Sequence, residues 1–204
     1  MVRVILVRHG ETEWNQLRRI QGGSSDTQLN QRGRQQAESL ALKLKGKGIQ
    51  AIYSSPQQRA LDTAQAIARH HQLEVAVESS LREIDAGELE EMPIDKVGVH
   101  LTQLLTGGGQ EEGVFRMPGG ESLAEVQQRA WSTIQRLINE HPDGVLVVVS
   151  HYFVILTIIC SVLNLPLSQL GRLRLDPSSI STIVFDDQTT RLVLLNDRCH
   201  LTTN

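Results

Sequence analysis

Cysteine is scarce in this 204-residue chain: Cys160 and Cys199 are the only two, and they show no metal-ligand spacing. That excludes a disulfide framework or a cysteine-built metal centre, and both residues are expected to be reduced thiols of a cytoplasmic protein. Long hydrophobic runs are missing as well. The longest apolar stretch, Phe153 to Leu165, covers about 13 residues and is broken by Thr157, Cys160, Ser161 and Asn164, too short for a bilayer and suited to a buried helix. No signal peptide stands ahead of the first expected strand at residue 2. A positive balance is lacking: the formal net charge is -3, with 40% hydrophobic and 21% charged residues, so neither nucleic acid nor an acidic membrane is expected as a partner. An anionic ligand would need a local cationic pocket. No glycine-rich run ends in Lys and Ser or Thr after a strand, and no Gly-x-Gly-x-x-Gly opens a helix, which removes the common nucleotide loops. There is no internal repeat, and the length suits a single domain.

What is present is a doubled signal. The β-branched run Val2 to Val7 ends in Arg8-His9-Gly10, and a second such run, Val145 to Val149, ends in Ser150-His151. Open α/β sheets build ligand sites in the crevice at the carboxyl ends of their strands. One loop histidine is usually solvated, but two buried parallel strands that each deliver a histidine would bring both imidazoles to one crevice.

Between these runs the chain alternates strand and helix. A polar loop from Gly10 to Leu29 is followed by a helix with Asn30 as cap and Ala37, Leu40, Ala41 and Leu44 on its buried face, ended by Gly46 and Gly48. A second strand, Ala51 to Tyr53, runs into Ser54-Ser55-Pro56, which reads as a helix start and places Arg59 in the first turn, beside free backbone N–H groups. A third strand is expected at Leu73 to Val77, followed by an acidic stretch containing Glu83, then a weak helix at Ile94 to Leu105 and a glycine-rich loop at Thr106 to Gly113. Ser122 and Glu125 have the spacing of a capping box for a helix burying Leu123, Val126, Ala130, Ile134 and Leu137. The final strands, Ser179 to Phe185 and Thr190 to Leu195, suit a hairpin. The expected fold is α/β: a mainly parallel sheet with one antiparallel edge and helices on both faces.

Arg8, His9, Arg59 and His151 in one crevice, with Glu83 at its rim, would form a phosphate cradle in which two guanidinium forks hold the anion. Neutral His9 would attack phosphorus, its other ring nitrogen donating to a backbone carbonyl of the loop, and Glu83 would protonate the leaving alkoxide and then activate water. No metal and no cofactor are called for, since no carboxylate or cysteine cluster is available to hold one.

The motifs Val7 to Asn15, Gln21-Gly22, Ser54-Ser55-Pro56 with Arg59-Ala60, Leu81-Arg82-Glu83, Pro118 to Ser122 and Val149-Ser150-His151 resemble the histidine phosphatase superfamily, the phosphoglycerate mutase-like family. The resemblance covers nearly the whole chain. It implies a phosphoglycerate mutase-like fold and phosphorylation of His9, with Arg8, Arg59 and His151 holding phosphate and Glu83 as proton donor. It further implies Asn15, Gln21, Gly22 and the tail residue His200 as substrate contacts, and a cap or insertion at about 88–118. Two departures stand out: Tyr152 replaces the Gly that often follows the second histidine, and Glu83-Ile84-Asp85-Ala86-Gly87 replaces the stretch typical of true mutases. The sequence therefore looks like the phosphatase branch, acting on a small phosphorylated metabolite. Phosphoglycerate mutase activity and a non-catalytic phospho-ligand binding protein are the alternatives, and a homodimer is compatible with the sequence.

Overall fold

The computed structural model describes residues 1–99, 101–102, 116–186 and 188–201. Six strands form one sheet in the order β3-β2-β4-β1-β5-β6, where β1 is Val2–Arg8, β2 Ala51–Ser54, β3 Val75–Val77, β4 Val145–Ser150, β5 Ile180–Phe185 and β6 Thr190–Asp197. The β3, β2, β4 and β1 strands run parallel, and β5 and β6 add an antiparallel edge. The fold class read from the sequence is the one observed.

Strand alternation explains the layering. Val4 and Leu6 of β1 and Leu146 and Val148 of β4 face one core with α4 (Leu123–Glu140) and α5 (Tyr152–Leu163). Ile5, Val7, Val147 and Val149 face the other with α2 (Gln31–Leu44) and α3 (Gln58–Arg69). All eight strand residues are at most 5% exposed, so β1 and β4 are apolar on both faces as buried parallel strands must be. A short α1, Glu13–Gln16, starts the loop after β1 with Thr12 and Asn15 in a capping box.

Three local expectations shift. Ser55 does not cap α3; Gln57 occupies that position without a side-chain cap, and the Ser55 hydroxyl is used elsewhere. β3 begins at Val75, not Leu73. Residues 94–97 form turns instead of helix, and helical backbone begins only at 98; the remainder of that helix beyond 102 and the 106–113 loop lie outside the described residues. The cap helices α2 and α4 match: Asn30 accepts from the Gly33 N–H, and Ser122 and Glu125 close a capping box.

The register of β1 against β4 positions the site. Arg8 lies opposite Ser150, so the next residues, His9 and His151, leave neighbouring strands at the same level, and the His9 N–H donates to the Ser150 carbonyl at 3.0 Å.

Candidate active site

His9 and His151 are both buried, with ring centroids 5.1 Å apart and planes inclined at 54°. The His9 Nδ1 lies 2.7 Å from the Gly10 carbonyl oxygen. A carbonyl can only accept, so Nδ1 carries the hydrogen and Nε2 keeps a free lone pair. Gly10 is required here because a Cβ would stand 2.6 Å from the Gly33 carbonyl oxygen, where α2 passes close to the loop. Burial first, then Arg59 and Arg8, drives the His9 pKa well below its usual value, and His151 is lowered by burial, Arg59 and His9. Both rings are neutral at neutral pH.

The two arginines are held by backbone carbonyls. Arg8 donates from Nη1 to the Leu175 carbonyl at 2.7 Å, and its guanidinium lies 5.1 Å from the centre of the Tyr152 ring. Arg59, fully buried on the first turn of α3, donates to the Ser25 carbonyl at 2.8 Å and the Gly22 carbonyl at 3.3 Å. Burial lowers Arg59 to about 10, which leaves it a cation at neutral pH. The Nε of each arginine and the Nδ1 of His151 are buried without a protein partner. Buried donors without an acceptor are costly, and an anion beside His9 would satisfy the two guanidinium Nε–H groups, next to the equally unpartnered Nδ1 of His151.

Glu83 lies in the segment after β3, 4% exposed. Its carboxylate accepts from the N–H of Ile84 at 2.9 Å and from that of Phe153, in the first turn of α5, at 3.3 Å. Burial raises its pKa above the usual carboxylate value, against the opposing pull of the Ile84 N–H and Arg59. A carboxyl that retains its proton more readily is suited to general acid work.

Arg8, His9 and Glu83 open onto a cavity of about 310 Å³, whose polar wall Asn15, Arg19 and Gln21 complete. Ile20, Ile84, Ile94, Leu101, Met117 and the rings of Tyr152 and Phe153 make up the apolar part of its lining. Arg59 and His151 do not line the cavity; they are fully buried beside His9. The Asn15 Oδ1 accepts from the Thr12 N–H at 3.0 Å and the Gln21 Oε1 from the Thr27 hydroxyl at 2.8 Å, which leaves the amide NH2 of each for the cavity.

Two of the expected substrate contacts, Gly22 and His200, do not line this cavity. Gly22 is not on the cavity wall: its N–H donates to Glu90 at 2.9 Å, and its carbonyl accepts from Gln57 and Arg59, so both backbone groups are consumed in fixing the loop. His200 is also off the wall. The chain turns at Cys199–Leu201 after β6, and the Lys43 ammonium of α2 reaches the Cys199 sulfur there, which draws the segment toward α2.

The structure also shows supports that periodicity and motif spacing did not mark. The Gln57 Nε2 holds the carbonyls of Gly22 and Ser25, each at 2.9 Å, while its Oε1 accepts the Glu83 N–H at 2.9 Å. Arg129 of α4 donates to the carbonyls of Ser80, Arg82 and Glu83 and to both oxygens of Glu121. A bidentate arginine-carboxylate pair thus braces the Glu83 segment from beneath. The only sequence signal for Gln57 was a polar residue two places before Arg59.

A family model described as histidine phosphatase superfamily (branch 1) matches residues 4–198. The chain belongs to that superfamily. Phosphoserine phosphatase 1 of Hydrogenobacter thermophilus is 35% identical to this histidine phosphatase family member over 201 residues, covering 98% of the chain and 95% of that protein. A protein named "Probable phosphoglycerate mutase GpmB" from Salmonella paratyphi B is 38% identical over 194 residues, covering 92% and 86%. Among solved structures, a phosphoserine phosphatase from Entamoeba histolytica in complex with 3-phosphoglyceric acid superposes with a TM-score of 0.87 at 32% identity, covering 98% of this chain and all of that one.

Proposed function

We propose that this family member is a phosphatase that hydrolyses monophosphate esters of small metabolites through a phosphohistidine on His9. The observation that carries the reading is the fixed His9 tautomer: Nδ1 is tied to the Gly10 carbonyl, and Nε2 is free beside His151 and two cationic guanidinium groups. The Nε2 lone pair attacks phosphorus as the ester P–O bond breaks, and protonated Glu83 gives its proton to the departing alkoxide. Water then attacks the phosphohistidine and passes a proton to the Glu83 carboxylate, releasing phosphate and restoring neutral His9. Charge on the equatorial oxygens is spread over Arg8, Arg59 and His151. In this reading the guanidinium groups supply the positive charge, and no metal is needed.

The leaving group faces a wall that is half apolar, with Arg19 among its polar residues, which suits a small organic phosphate. The similar proteins named for phosphoserine support the same class. Tyr152 does not weaken the reading, since its ring packs against the Arg8 guanidinium. The test is hydrolysis of p-nitrophenyl phosphate and of a panel of phosphorylated metabolites in the presence of EDTA, with mass spectrometry of acid-labile phosphate on His9. Full activity of a His9→Ala variant, or loss of parental activity with chelator, would sink the mechanism. Interconversion of 3- and 2-phosphoglycerate faster than phosphate release would replace it with a mutase.

A further inference from the structure

We propose that Ser55 is a positioning residue: it holds His151 as the Nδ1–H tautomer, so that the ring meets the phosphoryl group as a neutral N–H donor. The proposal rests on the phosphatase reading above. The Ser55 Oγ lies 2.7 Å from the His151 Nε2, and both residues are fully buried. Ser55 is itself set by the sheet. It follows the last residue of β2, and its N–H donates to the Val149 carbonyl of β4 at 3.0 Å, in the way the His9 N–H donates to Ser150. Three adjacent parallel strands thus each deliver one residue to the site: Ser55, His151 and His9.

The direction of the Ser55 to His151 bond follows from counting hydrogens. The Ser55 Oγ already accepts the Gln57 N–H at 3.4 Å, and its one hydrogen has the His151 Nε2 as acceptor. If Nε2 carried the proton instead, the buried hydroxyl hydrogen would be left without an acceptor among the described residues. The Nδ1 would then present a lone pair to the phosphoryl oxygens, which can only accept. With Ser55 donating, Nδ1 bears the hydrogen, and this is the His151 nitrogen that is buried without a protein partner. The neighbouring Ser150 does not compete, because its hydroxyl donates to the Leu81 carbonyl at 2.7 Å. Arg59, His9, Arg8 and Arg129 face the ring electrostatically and favour its neutral form, in which the choice of tautomer decides whether it donates at all.

Long-range 1H–15N correlation spectra of the imidazoles in histidine-labelled protein read the tautomer directly. In the parent protein His151 is expected with the proton on Nδ1. In Ser55→Ala the signal is expected to move toward Nε2–H, with kcat for p-nitrophenyl phosphate down roughly tenfold to a hundredfold, in the range of one lost transition-state donor, and KM little changed. An Nε2–H tautomer in the parent protein overturns the proposal without any variant, even if Ser55→Ala fails to fold. An unchanged tautomer and unchanged kcat in a folded Ser55→Ala overturns it as well. Because the spectra need no substrate, failure of the phosphatase reading is separately visible, as absence of turnover in a protein whose tautomer is as expected.

Discussion

At the floor of the cavity and in the fully buried layer beside it, His9 and His151 follow two buried strands paired residue for residue, and Arg8 and Arg59 are anchored on backbone carbonyls. At its mouth, Ile20 and Ile94 come from loop segments joined by a few backbone bonds: Ile20 N–H to the Met92 carbonyl at 2.9 Å, Glu91 N–H to the Ile20 carbonyl at 3.1 Å, and Ile94 N–H to the Arg18 carbonyl at 2.9 Å. The floor is dictated by sheet register and burial, the mouth by side chains that could change without disturbing a strand. Chemistry and selectivity are thus written into parts of the chain under different constraints.

The largest effect should come from the floor. His9→Ala is expected to reduce turnover of every ester about a thousandfold or more, since the proposed mechanism loses its nucleophile. Retention of one ester's hydrolysis in that variant would show that the mouth, not the floor, carries the reaction. Glu83→Gln separates the steps: hydrolysis of alkyl phosphates is expected to fall about 100-fold to 10,000-fold, while p-nitrophenyl phosphate, whose leaving group needs no acid, suffers far less in the first step. Equal losses with both esters in a pre-steady-state burst assay would remove Glu83 as the acid.

Between floor and mouth lies the brace. Arg129→Ala takes away the hydrogen bonds to Ser80, Arg82 and Glu83 and leaves Glu121 without its bidentate partner. It is expected to lower stability by about 2 kcal/mol and alkyl phosphate turnover roughly tenfold, measured by denaturant unfolding and kcat. Acid should weaken the floor without any mutation. Buried His9 and His151 have folded pKa values well below the usual one, so below about pH 6.5 the unfolded chain takes up protons that the folded chain refuses. Stability is expected to fall as pH drops from about 6.5 toward the lowered folded values, by up to about 1.4 kcal/mol per pH unit for each histidine, and to fall less steeply in His9→Ala. The smallest effect belongs to the mouth: Ile94→Ala is expected to raise KM several-fold for esters with apolar leaving groups and leave kcat almost unchanged. A change in kcat as large as that of Arg129→Ala would erase the distinction between the two regions.

The same contrast explains what could be read from the chain alone. Val145 to Val149 is an unbroken apolar run and Val2 to Val7 is interrupted only by Arg3 near its start, the pattern of buried strands, so the sheet, its helices and the meeting of His9 with His151 were open to inference. Ser54-Ser55-Pro56 was read as a helix start because Ser before Pro fits that pattern; the Ser55 hydroxyl is engaged by His151, 96 positions away, which no local pattern encodes. Arg129 and Gln57 escaped notice for a related reason. Each looks like an ordinary polar residue until the carbonyls it gathers are placed around it. Gly22 and His200 were expected at the substrate because of family resemblance, yet Gly22 spends its backbone groups on Glu90, Gln57 and Arg59, and His200 follows a turn toward α2.

The pairing of Arg8 with Ser150 has a consequence for assembly. A slip of one place between these strands would turn every side chain of one strand to the opposite layer, exchanging Val4 and Leu6 with Ile5 and Val7, so no stably packed molecule can carry the histidines out of step. A molecule that has completed its core therefore already holds the two histidines side by side. During gradual denaturation, discrimination among esters should decay first, and the power to transfer phosphate should vanish only with the last cooperative loss of the sheet.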